Sequence, residues 1–142
     1  MAKISFNTGD RPFVFQQKLL LKSFIESIFK REKKHLAELR YVFCSDDMLL
    51  DINRNFLQHD YFTDIITFGL SEKGQSIEAE IYISIDRVKD NAQMLGVTYK
   101  EEMLRVLFHG ALHLCGYKDK TKSEIVTMRA KEDRYLQLFG KA

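Results

Sequence analysis

The segment HGALHLCGYKD, residues 109–119, carries the strongest structural signal in the chain. His109 and His113 are four residues apart, so on a helix their side chains project from one face about one turn apart. Two imidazoles at this spacing can bind one metal ion. Gly116 can end the helix in a left-handed conformation, after which Asp119 is available as a third ligand. The segment therefore predicts a metal site with the ligands His109, His113 and Asp119.

The pattern H-x3-H-x2-G-x2-D has the ligand spacing of metzincin-type zinc sites, with aspartate in the third place. Zinc peptidases of that type carry a glutamate directly after the first histidine, whereas this chain has Gly110 there. The pattern therefore favours a metal site that lacks the usual peptidase base.

A pair of histidines four residues apart is, taken alone, more often incidental than ligating. Three features favour ligation here. The chain has four histidines, and two of them form this pair. The residues around the pair are apolar nearly all round the helix, which predicts buried imidazoles that need partners. Thr121 and Glu124 form a T-x-x-E capping box for the next helix, which leaves Asp119 free to act as a ligand.

Composition places the chain among ordinary globular proteins. It has 142 residues, of which 45% are hydrophobic and 30% are charged, and we expect a single domain over residues 1–142. The sequence contains no run of 18 apolar residues that could span a membrane, so no membrane partner is expected. The two cysteines, Cys44 and Cys115, fit a reducing cytoplasm better than a disulfide framework. Cys115 follows His113 by two residues and should point away from a metal, as a small core residue.

The formal net charge of +2 is too small to indicate a nucleic-acid partner by itself. Its distribution is more informative, because Lys118, Lys120 and Lys122 flank Asp119. Three lysines beside a metal site favour an anionic substrate, with phosphate the natural candidate. A solvated loop is the competing interpretation.

Hydrophobic periodicity predicts four strands and five helices. The predicted strands cover residues 3–7, 38–45, 64–70 and 79–85. The predicted helices cover residues 16–34, 46–56, 86–95, 98–115 and 122–139. The first helix is expected to bury Leu19, Leu20, Phe24, Ile28 and Phe29, and the second to begin at a Ser45 or Asp46 cap. This order indicates an α+β domain with one mixed sheet covered by helices, including a metzincin-like metal helix over 98–115.

With these elements placed, the chain resembles the bacterial YbeY family of rRNA maturation endoribonucleases. Residues 109–117 match its hallmark H-G-x-L-H-L-x-G-Y. Residues 63–68, TDIITF, resemble the family's T-D-V-L-S-F strand, and residues 80–84 resemble its G-D-I-x-I-S strand. Further matches are Leu50, Asn53 and Phe56 in the second helix, and Met128 and Glu132 in the last.

The resemblance implies a metal-dependent, single-strand-specific endoribonuclease. Such proteins act in maturation of small-subunit ribosomal RNA and in ribosome quality control. The implied partners are single-stranded RNA, ribosomal RNA and the small ribosomal subunit, with no DNA. The ligand spacing and the available Asp119 favour Zn²⁺ as the cofactor, one per chain, although another divalent metal would also fit. The sequence identifies no general base, so a metal-bound water is the simplest proposal for the attacking group.

The chain departs from the family pattern at two places. The family's third histidine falls on Asp119, whose carboxylate is a competent ligand at the same spacing and favours harder ions. The resemblance implies an arginine that faces the active-site cleft, and this position falls on Leu57. The run that follows reads QHDYF over residues 58–62. His59 could act there as a polar substitute, but a loop histidine is more often solvated.

Two other functions are compatible with these motifs. One is a zinc metallopeptidase on a metzincin-like scaffold, against which Gly110 argues. The other is a non-catalytic, ribosome-associated module whose metal is structural. A peptide-cleavage assay tests the first. The second predicts that loss of the metal ligands leaves ribosome association intact.

Overall fold

The computed structural model of the chain describes residues 2–59 and 62–140. Four strands and five helices follow one another along these ranges. In chain order they are β1 (Lys3–Thr8), α1 (Lys18–Arg31), β2 (Leu36–Cys44), α2 (Asp46–Leu57), β3 (Ile65–Gly69), β4 (Ile77–Ser84), α3 (Ile85–Leu95), α4 (Tyr99–Leu114) and α5 (Lys122–Gly140). All nine predicted elements are present, and apart from the end of α1 their bounds agree with the predictions to within two residues.

The strands form one mixed sheet in the order β1-β2-β4-β3. The central strand β2 pairs in parallel with β1 and with β4. β3 pairs antiparallel with β4 and forms one edge of the sheet. The α+β prediction, with a mixed sheet of four strands and five helices, is confirmed.

Strand β4 shows why α4 lies where it does. Ala79, Ile81 and Ile83 alternate along β4 and are buried, as a period of two requires. Ile81 meets α4 at Gly110, where a Cβ atom would lie 2.8 Å from Ile81 Cδ1. On β2, the buried Tyr41 hydroxyl donates a hydrogen bond to the Leu107 carbonyl of α4 at 2.9 Å. Close packing and one buried hydrogen bond thus fix the height and rotation of α4 on the sheet.

Serine caps set the starts of α2 and α3. Ser45 Oγ accepts a hydrogen bond from the Met48 backbone N–H at 3.1 Å, which confirms Ser45 as the cap of α2. Ser84 Oγ accepts in the same way from Arg87 N–H at 3.0 Å. Because Ser84 is the cap, Ile85 lies in the first turn of α3 and not at the end of the fourth strand, where the sequence pattern placed it.

The prediction for the buried face of α1 was partly wrong. Leu19 is 83% exposed and Leu20 is 38% exposed. The buried stripe consists of Leu21, Ile25, Ile28 and Phe29. Three leucines in succession are compatible with several phases of a helix, and the phase that contains Leu21 gives the spacing i, i+4, i+7, i+8 of a core-facing stripe.

Helix α4 is buried on most sides, as its apolar composition predicts. It contacts α1, α3, α5, β3 and β4. The apolar side chains of α4 therefore form part of the hydrophobic core. No helix within the described ranges combines the length and the apolar content that crossing a bilayer requires.

Candidate metal centre

His109 and His113 project from the same face of α4, one turn apart. Their ring centroids are 4.5 Å apart and their planes are nearly perpendicular, at 87°. Asp119 lies opposite both rings, with Oδ2 at 3.3 Å from His109 Nε2 and at 3.4 Å from His113 Nε2. One ligand atom from each of the three side chains lies within 4.8 Å of the other two. The described residues thus include a group that can hold one divalent metal ion.

The turn after α4 brings Asp119 to this position. Gly116 adopts a φ of +107°, a conformation that favours glycine. The N–H groups of Gly116 and Tyr117 donate to carbonyls in the last turn of α4, at 3.0 and 3.1 Å. The predicted capping box is present, since Thr121 N–H donates to Glu124 at 2.9 Å and Glu124 N–H donates to Thr121 at 3.2 Å. Asp119 is therefore not used as a helix cap.

Both imidazoles are oriented through their Nδ1 atoms. His109 Nδ1 lies 2.5 Å from Glu132 Oε2. His113 Nδ1–H donates to the Tyr117 carbonyl at 2.9 Å. A proton on Nδ1 leaves Nε2 of a neutral imidazole with a free lone pair, and both Nε2 atoms face Asp119. This arrangement is typical of metal-binding histidines, whose second nitrogen is held by a carboxylate or a carbonyl.

Glu132 connects His109 to the interior. It is 4% exposed, and Arg105 pairs with its other oxygen at 3.0 Å. Burial disfavours the charged imidazolium, but the hydrogen bond and charge of Glu132, followed by the charges of Asp119 and Asp64, outweigh burial and raise the pKa of His109. The same negative charge favours a divalent cation at Nε2.

A second set of contacts anchors the turn that carries Asp119. Tyr117 O–H donates to Glu32 at 2.6 Å. Lys131 Nζ donates to the same carboxylate at 3.1 Å, and the Tyr135 hydroxyl makes a short hydrogen bond to it. Burial would raise the pKa of Glu32, but the hydrogen bonds from Tyr117, Tyr135 and Lys131 outweigh it and lower the pKa. Glu32, at the end of α1, thus holds the residue whose carbonyl orients His113.

Packing explains the glycine that stands where a zinc peptidase has its glutamate. A Cβ atom at Gly110 would lie 2.8 Å from Ile81 Cδ1 and 3.0 Å from Ile65 Cδ1. A larger side chain at this position would require the ends of these two isoleucine side chains to move. Gly110 packs against the sheet and supplies no carboxylate beside His109, which argues against the peptidase alternative.

The other residues singled out from the sequence occupy varied positions. Cys115 is 7% exposed and packs in the core, as predicted. Lys118, Lys120 and Lys122 are exposed along the turn and the start of α5. Leu57 is 39% exposed at the end of α2. His59 is exposed and is not part of the three-residue metal group. Of the run that follows Leu57, Asp60 and Tyr61 lie outside the described residues.

Sequence reasoning missed the supporting roles of several acidic residues. Glu132 falls on the buried stripe of α5 with Met128, Tyr135 and Phe139, and an acid on an apolar stripe is a usable signal. Glu102 gives the same signal, because it is buried next to Met103 and Leu104 on α4. The role of Glu32 has no local signal, since its partner Tyr117 is 85 residues away.

A model of the family described as Endoribonuclease YbeY matches residues 4–140 of the chain. The chain belongs to the YbeY family. Among similar YbeY proteins, the Endoribonuclease YbeY of Cytophaga hutchinsonii is 53% identical over 135 residues, which is 95% of this chain and 94% of that protein. The Endoribonuclease YbeY of Flavobacterium psychrophilum is 43% identical over 136 residues, 96% of each chain. The resemblance drawn from the sequence is confirmed.

A solved structure supports the YbeY assignment at the level of the fold. The solution structure of TM1509 from Thermotoga maritima superimposes with a TM-score of 0.65 and 28% sequence identity. The superposition covers 96% of this chain and 88% of that one. The sheet and the helices around the YbeY hallmark therefore follow an architecture already observed.

Proposed function

We propose that this chain is a metal-dependent endoribonuclease that cuts single-stranded RNA during maturation of small-subunit ribosomal RNA. One observation carries the proposal: in a chain of the YbeY family, ligand atoms of His109, His113 and Asp119 lie within 4.8 Å of one another. Both Nδ1 atoms are engaged elsewhere, which leaves three lone pairs for one cation.

We assign Zn²⁺, one per chain, as the cofactor. Two imidazoles and one carboxylate form a donor set that zinc commonly uses in catalytic sites, where three protein ligands leave a position open. The carboxylate at position 119 also suits harder divalent ions such as Mn²⁺. A cation held here would polarise a phosphoryl oxygen or activate water for attack on phosphorus.

The residues of the chain have separate tasks in this proposal. His109, His113 and Asp119 hold the cation, and Glu132 accepts the Nδ1 proton of His109, which orients that ring. Tyr117 does the same for His113 through its carbonyl. No general base is assigned, because the position next to His109 is a glycine.

Exposed lysines provide the attraction for RNA. Lys118, Lys120 and Lys122 surround Asp119 in the sequence, and their positive charges would draw phosphate groups toward the candidate metal centre.

Ribosomal RNA and the small ribosomal subunit are the proposed partners, with no DNA. Cys44 and Cys115 are unpaired and buried, which suits the reducing cytoplasm proposed as the location.

Cleavage of a labelled single-stranded RNA tests this function. The protein should cut the RNA, lose the activity in chelator and regain it with Zn²⁺ or Mn²⁺. His113→Ala should abolish cleavage, whereas His35→Ala should not, because His35 is an exposed histidine between α1 and β2 that is not part of the metal group. Unchanged cleavage by His113→Ala would contradict the proposal. Absence of cleavage by the parent, together with ribosome binding that survives His113→Ala, would favour the non-catalytic module instead.

A further inference from the structure

A cavity of about 350 Å³ lies beside His109, between α4, α5, the start of β3 and the end of α3. Small-molecule sites commonly have volumes of about 300–1,000 Å³. His109 and Asp119 both belong to the lining. A group that fills this cavity would therefore lie next to anything bound at the candidate metal centre.

The wall of the cavity holds a carboxylate without a partner. Glu102 is 6% exposed and lines the cavity. Among residues 2–59 and 62–140, no hydrogen bond or ion pair reaches its side chain. Burial raises the pKa of Glu102, and the negative charge of the neighbouring Asp64 adds to the rise. Among the described residues, the one fully enclosed side-chain polar atom without a partner is Arg87 Nε, so the Glu102 oxygens remain accessible. Because Glu102 lines the cavity, its carboxylate can accept hydrogen bonds from the N–H groups of a ligand there.

A guanidinium group complements this acceptor. Arg129 lines the same cavity, its side chain is 57% exposed, and its charge acts on Glu102. Its ion pair with Glu132 is long, at 3.8 Å, so donor groups remain for a ligand. Arg105, in contrast, is bound to Glu132 at 3.0 Å and to Asp133 at 2.7 Å.

Apolar side chains supply contact surface in the cavity. Leu95 and Ile125 are 60% and 48% exposed at the cavity. The buried residues Val106 and Met128 line it further in. A cavity with apolar walls, one carboxylate acceptor and one guanidinium donor suits a planar ring that carries both N–H and carbonyl groups.

We propose that this cavity binds a guanine base, with Glu102 accepting hydrogen bonds from N1–H and the N2 amine and Arg129 donating to the O6/N7 edge. The inference rests on the proposed function: the phosphate of the same nucleotide would lie at the candidate metal centre, so the chain would prefer RNA with guanosine beside the cut.

The chemistry of the four bases selects guanine. Guanine presents two adjacent N–H donors, and one carboxylate accepts both. Its O6 and N7 atoms are the pair that arginine binds in bidentate fashion. Adenine and cytosine place a ring nitrogen acceptor beside their amine, which would oppose the Glu102 carboxylate. Uracil flanks its single N–H with two carbonyl oxygens, which would also be repelled.

Comparison of two mononucleotides tests the hydrogen bond between Glu102 and the N2 amine of guanine. GMP and IMP share phosphate, ribose, N1–H, O6 and N7, but IMP lacks the N2 amine, so their affinity ratio isolates that amine. We expect the purified protein to bind GMP about tenfold more tightly than IMP, since loss of a hydrogen bond to a charged acceptor has about this effect. Isothermal titration of each nucleotide gives the ratio. AMP, CMP and UMP should each bind more weakly than GMP.

Three variants locate the contact. Glu102→Gln should reduce the GMP to IMP ratio to near one, because the amide has a single acceptor oxygen. The matched control Glu101→Gln changes the adjacent, exposed residue of α4 and should keep the parent ratio. Arg129→Ala should weaken GMP and IMP equally, since both carry O6 and N7.

A parent ratio near one, a ratio unchanged in Glu102→Gln, or tighter binding of another mononucleotide would overturn the proposal. The parent ratio and the Arg129→Ala result decide the matter if Glu102→Gln does not fold. Neither measurement depends on cleavage. If His113→Ala cuts RNA like the parent while the GMP preference persists, the proposed function fails and the guanine site stands.

Discussion

His109 and Asp119 face each other across 3.3 Å, yet the structure supports them in different ways. His109 lies on α4 and is oriented by Glu132, whose side chain is 5% exposed and pairs with Arg105. Asp119 lies on a turn, its side chain is 40% exposed, and the turn is anchored through Tyr117. The helix half of the site, His109 and His113 on α4, is therefore supported by a buried carboxylate. The turn half, Asp119, is held by backbone hydrogen bonds to the end of α4, by the capping box and by the Tyr117 side chain.

This difference would allow the departure from the family pattern that the resemblance implies at position 119. A side chain on an exposed turn can change from imidazole to carboxylate without disturbing the packing. The same change at His109 would place a second carboxylate against the buried Glu132. The turn half should thus tolerate substitutions that the helix half does not.

Breaking the support of the helix half should have the largest effect. Glu132→Ala removes the partner of His109 and leaves Arg105, whose side chain is 18% exposed, without its buried partner. We expect a loss of about 3 kcal/mol in the free energy of unfolding. Metal affinity should fall about 10–100-fold. Urea denaturation and metal titration measure the two effects.

The matched control is Asp133→Asn, which removes the other acid bound to Arg105. Asp133 is 58% exposed, so the loss should stay below about 1 kcal/mol, and metal affinity should not change. Equal metal affinity in Glu132→Ala and the parent would show that His109 does not need this support.

Breaking the anchor of the turn half should have a smaller effect. Glu32→Gln keeps the shape of the side chain but removes the charge that accepts three hydrogen bonds. Because hydrogen bonds to charged groups contribute about 1.5–3 kcal/mol, we expect a loss of about 2 kcal/mol at pH 7. Metal affinity should fall less than in Glu132→Ala, since the turn retains its capping box.

The effect of Glu32→Gln should depend on pH. The folded-state pKa of Glu32 is lowered from its ordinary value of 4.5, so its stabilisation is present above pH 4.5. The stabilisation is lost as the pH falls through the lowered folded-state pKa. The difference in the free energy of unfolding between parent and variant, measured by urea denaturation, should therefore be smaller near pH 3 than at pH 7. The exposed control Glu72→Gln should show no such difference, and a difference that persists unchanged in acid would contradict the assigned charge.

Changing the turn ligand sharpens the contrast between the halves. Asp119→His should preserve metal binding, because an imidazole reaches a similar position, whereas Asp119→Ala should weaken binding. Neither should change the free energy of unfolding by more than about 0.5 kcal/mol, since the residue is exposed. Metal titration separates the variants. Full metal affinity in Asp119→Ala would remove Asp119 from the ligand set.

The smallest effect is expected from the lysines. Replacing Lys118, Lys120 and Lys122 with alanine should weaken RNA binding and leave metal content unchanged. If each lysine neutralises one phosphate, the slope of log affinity against log salt should flatten by about 2. The control replaces three exposed lysines elsewhere, Lys30, Lys34 and Lys73. Equal salt slopes in both triple variants would mean that the turn lysines are merely solvated.

Local patterns predicted much of this architecture. The alternation along β4 and the H-x3-H spacing on α4 each depend on residues close in sequence, and both gave elements that the structure contains. The capping box of Thr121 and Glu124 was predictable for the same reason. The buried face of α1 was not predicted correctly. Any of Leu19, Leu20 and Leu21 could begin the buried stripe of the helix, and only the packing of the folded chain shows that Leu21 does.

The residues that support the site could be identified only from the three-dimensional structure. Glu32 reaches Tyr117 across 85 residues, and no periodicity predicts such a contact. Glu102 was visible as an acid among apolar residues, but only the fold shows that it opens into a cavity beside His109. Long-range side-chain contacts are decided by tertiary packing, which a single sequence does not reveal.

Metal content of the purified protein tests the central claim most directly. After dialysis, elemental analysis of the parent should give about one divalent ion per chain. The double variant His109→Ala/His113→Ala should retain almost none, while His35→Ala should retain the parent content. Circular dichroism should show that each variant is folded. A folded double variant that keeps a full equivalent of metal would contradict the claim that these histidines hold it.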